Sequence, residues 1–472
     1  MLNTLPPEDQ DGDVRQDTKP KYLSLVDAIE HEMTSGIWKA GDRLPSNRDL
    51  GSRFNVTIGT VSKAMAEAVR RGLVATRVGS GTYVREDAFS NRDATGAGLP
   101  ASVDLALNTL PTSIVKEVLK ASLERHSTSR LAEDMFAYSV AYRHTGHQAA
   151  ASQWFASMGA RVAPSSILLT IGVHQGLIAA LHTLLAPGAT AVCEELTYTG
   201  IKRIAAQRGV VLRGARMDAD GLVPQEVEKA LRDSGAKVLV VTTNLQNPTT
   251  ASLSLERREQ LVAICRKADA FIVEDGVNGP LSGDSLPSLH TLAPERTVHL
   301  TGFSKCIASG FRLGYAAMPD ALLERFHDSL MGTQWIGPGF FASFLATMQQ
   351  DGALQRCIAL HRAEASWRQN LLRSSIPGSV VGSTPCYHAW LQPPAGMASA
   401  EFCLEAFNAG IQLSAGEHFA IAADNEHEQP PLGYRLSLGA CEGRAELTAA
   451  LQRLAMLGPR LHVLGTAGSP AV

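Results

Sequence analysis

TGFSKCIASGFRLGY, residues 301–315, sets one lysine, Lys305, in a small polar turn after the lead-in 297–300, with Arg312 seven positions later. A lone lysine is ordinarily a surface charge. It serves as a nucleophile toward an aldehyde when neutral, a state that burial and nearby cations favour. Around this stretch, β-rich runs at 167–170, 190–193, 210–213, 238–243, 271–274 and 298–301 alternate with helical segments such as 224–234 and 255–268. Strands alternating with helices predict an α/β domain with a mainly parallel sheet, whose ligands gather beyond the carboxyl ends of the strands.

The residues with chemistry fall at those ends. Run 167–170 leads into Gly172-Val173-His174-Gln175, a turn that opens a helix and can point backbone N–H groups at a phosphate. Run 238–243 leads into Asn247-Pro248, run 271–274 into Asp275, and run 298–301 into Ser304-Lys305. An acid, an amide and a lysine therefore converge on one rim. An aldehyde cofactor with a phosphate needs a phosphate cradle (Gly172, Val173, His174), an arginine fork (Arg312) and a carboxylate that keeps a pyridine nitrogen protonated. Asp275 fits that last role.

The first quarter of the chain reads differently. Overall formal charge is −3, but residues 1–18 carry one basic residue against five acids, whereas 19–87 carry eleven against eight. Apolar residues at 22, 25, 26, 29 and 33 predict a helix closed by Gly36. Ser46 and Asp49 form a capping-box-like start for a second helix through Phe54. Thr57 can cap a third helix to about Arg71, with Val61, Ala64, Met65, Ala68 and Val69 inward and Thr60, Ser62 and Lys63 outward. Short hydroxyls and one lysine on that outer face suit the major groove. Residues 73–76 and 82–84 read as strands around the glycine-tipped turn 77–81, which completes a winged helix-turn-helix.

Through LPSNRDL (44–50), FNVTIGTVSKA (54–64) and GLVATRVGSGTYV (72–84), this head resembles the GntR-type DNA-binding domain. The resemblance implies double-stranded operator DNA as a partner and Arg48, Thr57, Thr60, Ser62, Lys63 and Gly79 as contacts. Ile58 and Gly59 depart from the polar residues some members carry, which implies fewer base contacts. Residues 105–457 resemble a fold-type-I aminotransferase, the pyridoxal-phosphate fold of aspartate aminotransferase. By that resemblance Lys305 forms the internal aldimine, Asp275 pairs with the pyridine nitrogen, Asn247 bonds the ring oxygen and Arg312 holds the phosphate with Gly172, Val173 and His174. Tyr198 in EELTYTG stacks on the ring, Arg435 in YRLSLG takes a carboxylate, and Tyr142 reaches the partner subunit's phosphate. Three positions depart from the pattern: Thr250 ends the usual NPTG motif, Val277 replaces a tyrosine, and Gly302 replaces a phosphate-binding Ser or Thr.

Both halves in this order resemble the MocR-type regulators. The implied layout is an acidic disordered lead (1–18), a winged helix-turn-helix (19–86), a polar linker (87–102) and an aminotransferase-like body (103–472) that binds pyridoxal phosphate and forms a homodimer. The implied function is transcriptional regulation, with an amine or amino acid sensed through aldimine exchange at Lys305. An active aminotransferase with a DNA-binding appendage is the alternative, and a body serving only as a dimerisation scaffold is a third reading that Lys305, Asp275 and Arg312 oppose. The seven cysteines show neither a CxxC pair nor a neighbouring His cluster, so neither a disulfide framework nor a metal site is expected, and a reducing cytoplasm suits the chain. The uncharged stretch 162–193 is interrupted by Pro164, Gly172, His174, His182 and Pro187, so no membrane span is expected.

Overall fold

The computed structural model describes residues 21–34, 38, 42–70, 73–77, 81–84, 103–126, 145–283, 286–335, 337–376, 380–381, 385–421 and 433–457. The acidic lead, the linker 87–102, Gly79 and Tyr142 lie outside the described residues. The chain divides into two compact units, Met1–Gly98 and Leu99–Val472.

In the first unit, local hydrogen-bond chemistry starts each helix after the first. Helix α1 spans Lys21–Thr34. Helix α2, Asn47–Phe54, begins where Ser46 Oγ accepts the Asp49 N–H at 3.3 Å and ends at Asn55, whose left-handed φ of 51° an asparagine tolerates. Helix α3, Ile58–Arg70, begins where Thr57 Oγ1 accepts the Thr60 N–H at 3.2 Å. Strands β1 (Val74–Arg77) and β2 (Gly81–Val84) pair antiparallel as the wing. Leu25, Val26, Ile29, Leu50, Val61, Ala64, Met65, Ala68 and Val84 close the core around Trp38. Val69, expected inside, is 38% exposed. Eight residues after Val61 it sits roughly 80° around the helix, beyond the edge of the buried stripe.

The second unit centres on a seven-stranded sheet. Its strands are β4 (Ile167–Thr170), β5 (Thr190–Glu194), β6 (Val211–Ala215), β7 (Val238–Thr242), β8 (Phe271–Asp275), β9 (Thr297–Gly302) and β10 (Gly314–Ala317). Their order is β4-β10-β9-β8-β7-β5-β6. Only β10 runs against the rest, pairing Gly314 with Gly302 and Ala317 with His299. Successive residues feed opposite faces: Val238, Val240 and Val273 join one core, Leu239, Val241 and Ile272 the other. Both faces are buried, so the strands read as continuous apolar runs. Strand β10 carries no separate signal in the sequence, because GYAA is too short and small to show a pattern. Its reversed direction nonetheless places the site, because the turn 303–313 leaves and re-enters the sheet at one edge and so carries both Lys305 and Arg312.

A second, antiparallel sheet was not anticipated from the sequence. It joins Val380–Val381, His388–Leu391, Tyr434–Ser437 and Ser414–Ala415, packed by helices Ser399–Asn408 and Arg444–Ala455 over a core that includes Phe402, Leu436 and Leu451. The short strand β3 (Val103–Asp104) pairs in parallel with Ile411–Gln412. Among the described residues no helix is long and apolar enough to cross a membrane, and no group of His, Cys, Asp or Glu is arranged to hold a metal.

Candidate functional site

The carboxyl ends of β7, β8 and β9 and the first turn of Gly172–Leu184 form one rim, and most of the expected site residues meet there. Lys305 donates from Nζ to the carbonyl of Asn108. Burial, then Arg435 and Arg312, push its ammonium down to about 8, so the neutral amine is accessible near physiological pH. Asp275 is 4% exposed, and its Oδ1 accepts the Val277 N–H at 3.0 Å. Burial raises its carboxyl to about 6, partly offset by that bond and by Lys305, leaving it ionised at neutral pH. A buried anion thus stands near a lysine that holds its proton weakly.

The turn at Gly172, expected to cradle a phosphate, has its own steric logic. Gly172 takes a left-handed φ of 76°, and a Cβ there would lie 2.5 Å from Arg312 Nη2. Arg312 reaches Ile171 O and Ser309 O only at 3.4 Å each, so its donors stay weakly committed. No side chain caps the first turn of Gly172–Leu184. Among the described residues His174 Nδ1 is buried without a partner, and burial, Arg312 and Arg203 hold the imidazole below its usual range. A cavity of about 290 Å³ opens beside this turn, lined by His174, Tyr198, Thr199, Gly200, Arg203 and Arg312. The Tyr198 ring meets His174 edge-on at 6.2 Å, and a Cβ at Gly200 would fall 2.3 Å from that ring. Uncommitted cationic donors, bare helix N–H groups, a wall of aromatic surface and a desolvated lysine fit a group with an anionic phosphate, a flat ring and an aldehyde.

Of the three departures from the family pattern, Gly302 has a steric reason and Thr250 stands where the backbone disfavours it. A side chain at Gly302 would press Val173 Cγ2, since even a Cβ would approach it at 3.1 Å. Thr250 is buried in a left-handed conformation, φ 66°, with its hydroxyl unpartnered. That backbone region disfavours a β-branched residue. Val277 is half-buried and packs against the core through its side chain.

Arg435 sits in the second sheet, opposite Trp390 on one side and Ser414 on the other, and 7% of its surface is exposed. Its Nη1 donates to Asn247 Oδ1 at 2.9 Å and its Nη2 to Ala106 O at 2.6 Å, while its guanidinium lies 4.9 Å from the Phe419 ring centre. Burial lowers it to about 10. Among the described residues no carboxylate pairs with it, and Nε has no partner. Asn247 therefore meets Arg435 directly, a contact across 188 positions. Sequence reasoning also missed Arg203, Asn108 and Ser309, the last bonded to Thr109 Oγ1 at 2.7 Å. Nothing in their neighbourhoods signals a role.

In the first unit, Arg48 is exposed in the first turn of α2, Thr57, Ser62 and Lys63 are exposed at and just after the start of α3, and Thr60 is half-buried with its hydroxyl 2.9 Å from that of Thr57. Ile58 is 56% exposed at the same end, an apolar addition to this face.

The sequence matches the family Aminotransferase class I and II over residues 100–454, and the bacterial regulatory proteins of the gntR family over 21–84. The HTH-type transcriptional regulator YdeF of Bacillus subtilis is 28% identical over 93% of this chain and 94% of its own. The HTH-type pyridoxine biosynthesis transcriptional regulator PdxR of Corynebacterium glutamicum is 30% identical over 76% of this chain and 79% of its own. Among solved structures, the kynurenine aminotransferase of Pyrococcus horikoshii, solved with PMP, superposes with a TM-score of 0.65 at 20% identity, covering 79% of this chain and 97% of that one.

Proposed function

The chain belongs to the MocR-type regulators, a gntR-family DNA-binding head joined to a class I and II aminotransferase body, and we propose that it holds pyridoxal phosphate at Lys305 to sense an amine or amino acid. The observation that carries this reading is Lys305 itself: a desolvated amine, lowered to about 8, on the same rim as the buried carboxylate of Asp275. When bound, the cofactor supplies an aldehyde carbon that Lys305 or an incoming primary amine can capture.

This chain's residues would divide the work. Arg312 and the N–H groups of Gly172, Val173 and His174 would hold the phosphate, Asp275 the ring nitrogen, Asn247 the ring oxygen, and Tyr198 the ring face. Tyr142 of the partner subunit would complete the phosphate site in a homodimer. Lys305 Nζ would hold the aldehyde carbon and, when an effector amine took that place, would remain beside it as a free amine able to take or give a proton. Arg435, a buried guanidinium that no carboxylate among the described residues pairs with directly, would take the effector's carboxylate. Such contacts favour one global state over another, which is what a change in operator affinity requires.

The lowered Lys305 also suits proton transfer in transamination, the second reading. Turnover of an amino donor with a keto acid separates the two.

The decisive experiment is operator binding by Lys305→Ala, with and without pyridoxal phosphate, across a panel of amines and amino acids. DNA affinity should survive while every effector response disappears. A full response in that variant would place the sensor outside this pocket.

A further inference from the structure

Residues 103–113 cross the site as a strap fixed at both ends. Upstream, Val103 N donates to Gly410 O at 2.9 Å and Leu105 O accepts from Ser437 N at 2.6 Å. Downstream, Leu110 N reaches Ser309 Oγ at 3.2 Å, and the N–H groups of Thr112 and Ser113 reach the Glu442 carboxylate at 3.0 and 3.1 Å. Four residues, Ala106 to Thr109, lie between these anchors, and the outward contacts of the first three differ in kind. Ala106 O accepts from Arg435 Nη2 at 2.6 Å, with Ser414 Oγ at 3.3 Å, and Asn108 O accepts from Lys305 Nζ. Leu107 between them is 56% exposed. The bridge is therefore held to the site by carbonyls on its two cations rather than by apolar packing of its central side chain.

We propose that the bridge Ala106–Leu107–Asn108 is a built-in competitor for the effector's carboxylate: the Ala106 carbonyl occupies Arg435 until a carboxylate displaces it, and the released strap is the element through which effector binding is felt toward the linker. The inference rests on the sensor reading above and adds the chain segment that moves. A guanidinium this deeply buried among neutral acceptors is poorly compensated. The guanidinium already makes a charge-assisted bond to this carbonyl, but a carboxylate adds the opposite charge and can accept two parallel N–H···O bonds, so it wins the exchange. Arg435 keeps its Nη1 bond to Asn247 throughout, which leaves Nη2 and the unpartnered Nε as the pair a carboxylate can take. The freed bridge then pulls on the Leu105–Ser437 bond and, beyond it, on Val103–Asp104, whose pairing with Ile411–Gln412 is two residues long. In sequence, that strand directly follows the linker to the DNA-binding head.

Hydrogen exchange of the full chain loaded with pyridoxal phosphate tests this on backbone amides. Those to follow are Val103 N–H, Ala106 N–H, bonded to Asp104 Oδ1 at 2.9 Å, and Thr109 N–H, bonded to Leu107 O at 2.9 Å. Saturating propionate, a carboxylate without an amine, should accelerate exchange at Ala106 and Thr109 roughly tenfold or more, as expected for loss of one charge-assisted bond. Equimolar n-propylamine hydrochloride or sodium chloride should not. Arg435→Gln should exchange fast without ligand and gain nothing from propionate. Unchanged protection in wild-type protein under propionate overturns the proposal, as does wild-type protection in Arg435→Gln. The cofactor's visible absorption, recorded on the same samples, reports separately on the Lys305 reading, so failure of either is distinguishable from failure of the other.

Discussion

Asp275 and Lys305 pull stability in opposite directions with pH. The Asp275 carboxyl is raised from 3.8 to about 6, so between those values the folded chain holds a proton that the unfolded chain has lost, and stability falls as pH rises through that window. The Lys305 ammonium is lowered from 10.5 to about 8, so there the unfolded chain holds the extra proton and stability rises with pH. Asp275→Asn removes the first effect. The cofactor-free variant should be more stable than wild type at pH 7, by on the order of 2 kcal/mol, with the difference fading below about pH 4. Cofactor affinity should fall in the same variant, because the ring nitrogen loses its anionic partner. Thermal melts at the two pH values check the sign, and a variant that is less stable at pH 7 would mean that Asp275 is not destabilised by its burial.

Helix α3 separates folding from DNA contact. Thr57 Oγ1 caps the helix through the Thr60 N–H and also meets the Thr60 hydroxyl, so Thr57→Ala should cost the head about 1 kcal/mol of stability. Lys63 is exposed on the same helix. Lys63→Ala should leave the melting curve in place, weaken binding across DNA sequences, and flatten the plot of log affinity against log salt by about one unit. An unaltered slope would remove Lys63 from the phosphate contacts. The wing is half legible by the same means, since β1 and β2 pair in one register and Gly79 at its tip lies outside the described residues.

The proposed homodimer would carry two heads and so impose its symmetry on the operator. Footprinting on the natural promoter should show two similar half-sites, and sedimentation should give two chains per DNA-bound particle. One half-site bound with the affinity of the whole operator would refute this assembly. The strap proposal belongs to this scale as well, because it joins the pocket to the chain that enters the body at Val103.

The sequence by itself determined the alternation of strands and helices, the rim at the strand ends, and the positions of Gly172, Asn247, Asp275 and Lys305 on it. Those signals are local: side-chain period, glycine turns and capping residues are written within a few positions of one another. Only the tertiary structure decided that Arg435 meets Ala106 across 329 positions and Lys305 meets Asn108 across 197. The register that brings Arg435 opposite Ser414 and Trp390 comes from strand pairing across the second sheet, and the reversed β10 that returns Arg312 to the Lys305 edge comes from pairing across the first. Such pairings are fixed by the packing of whole faces. No short window of sequence contains both partners.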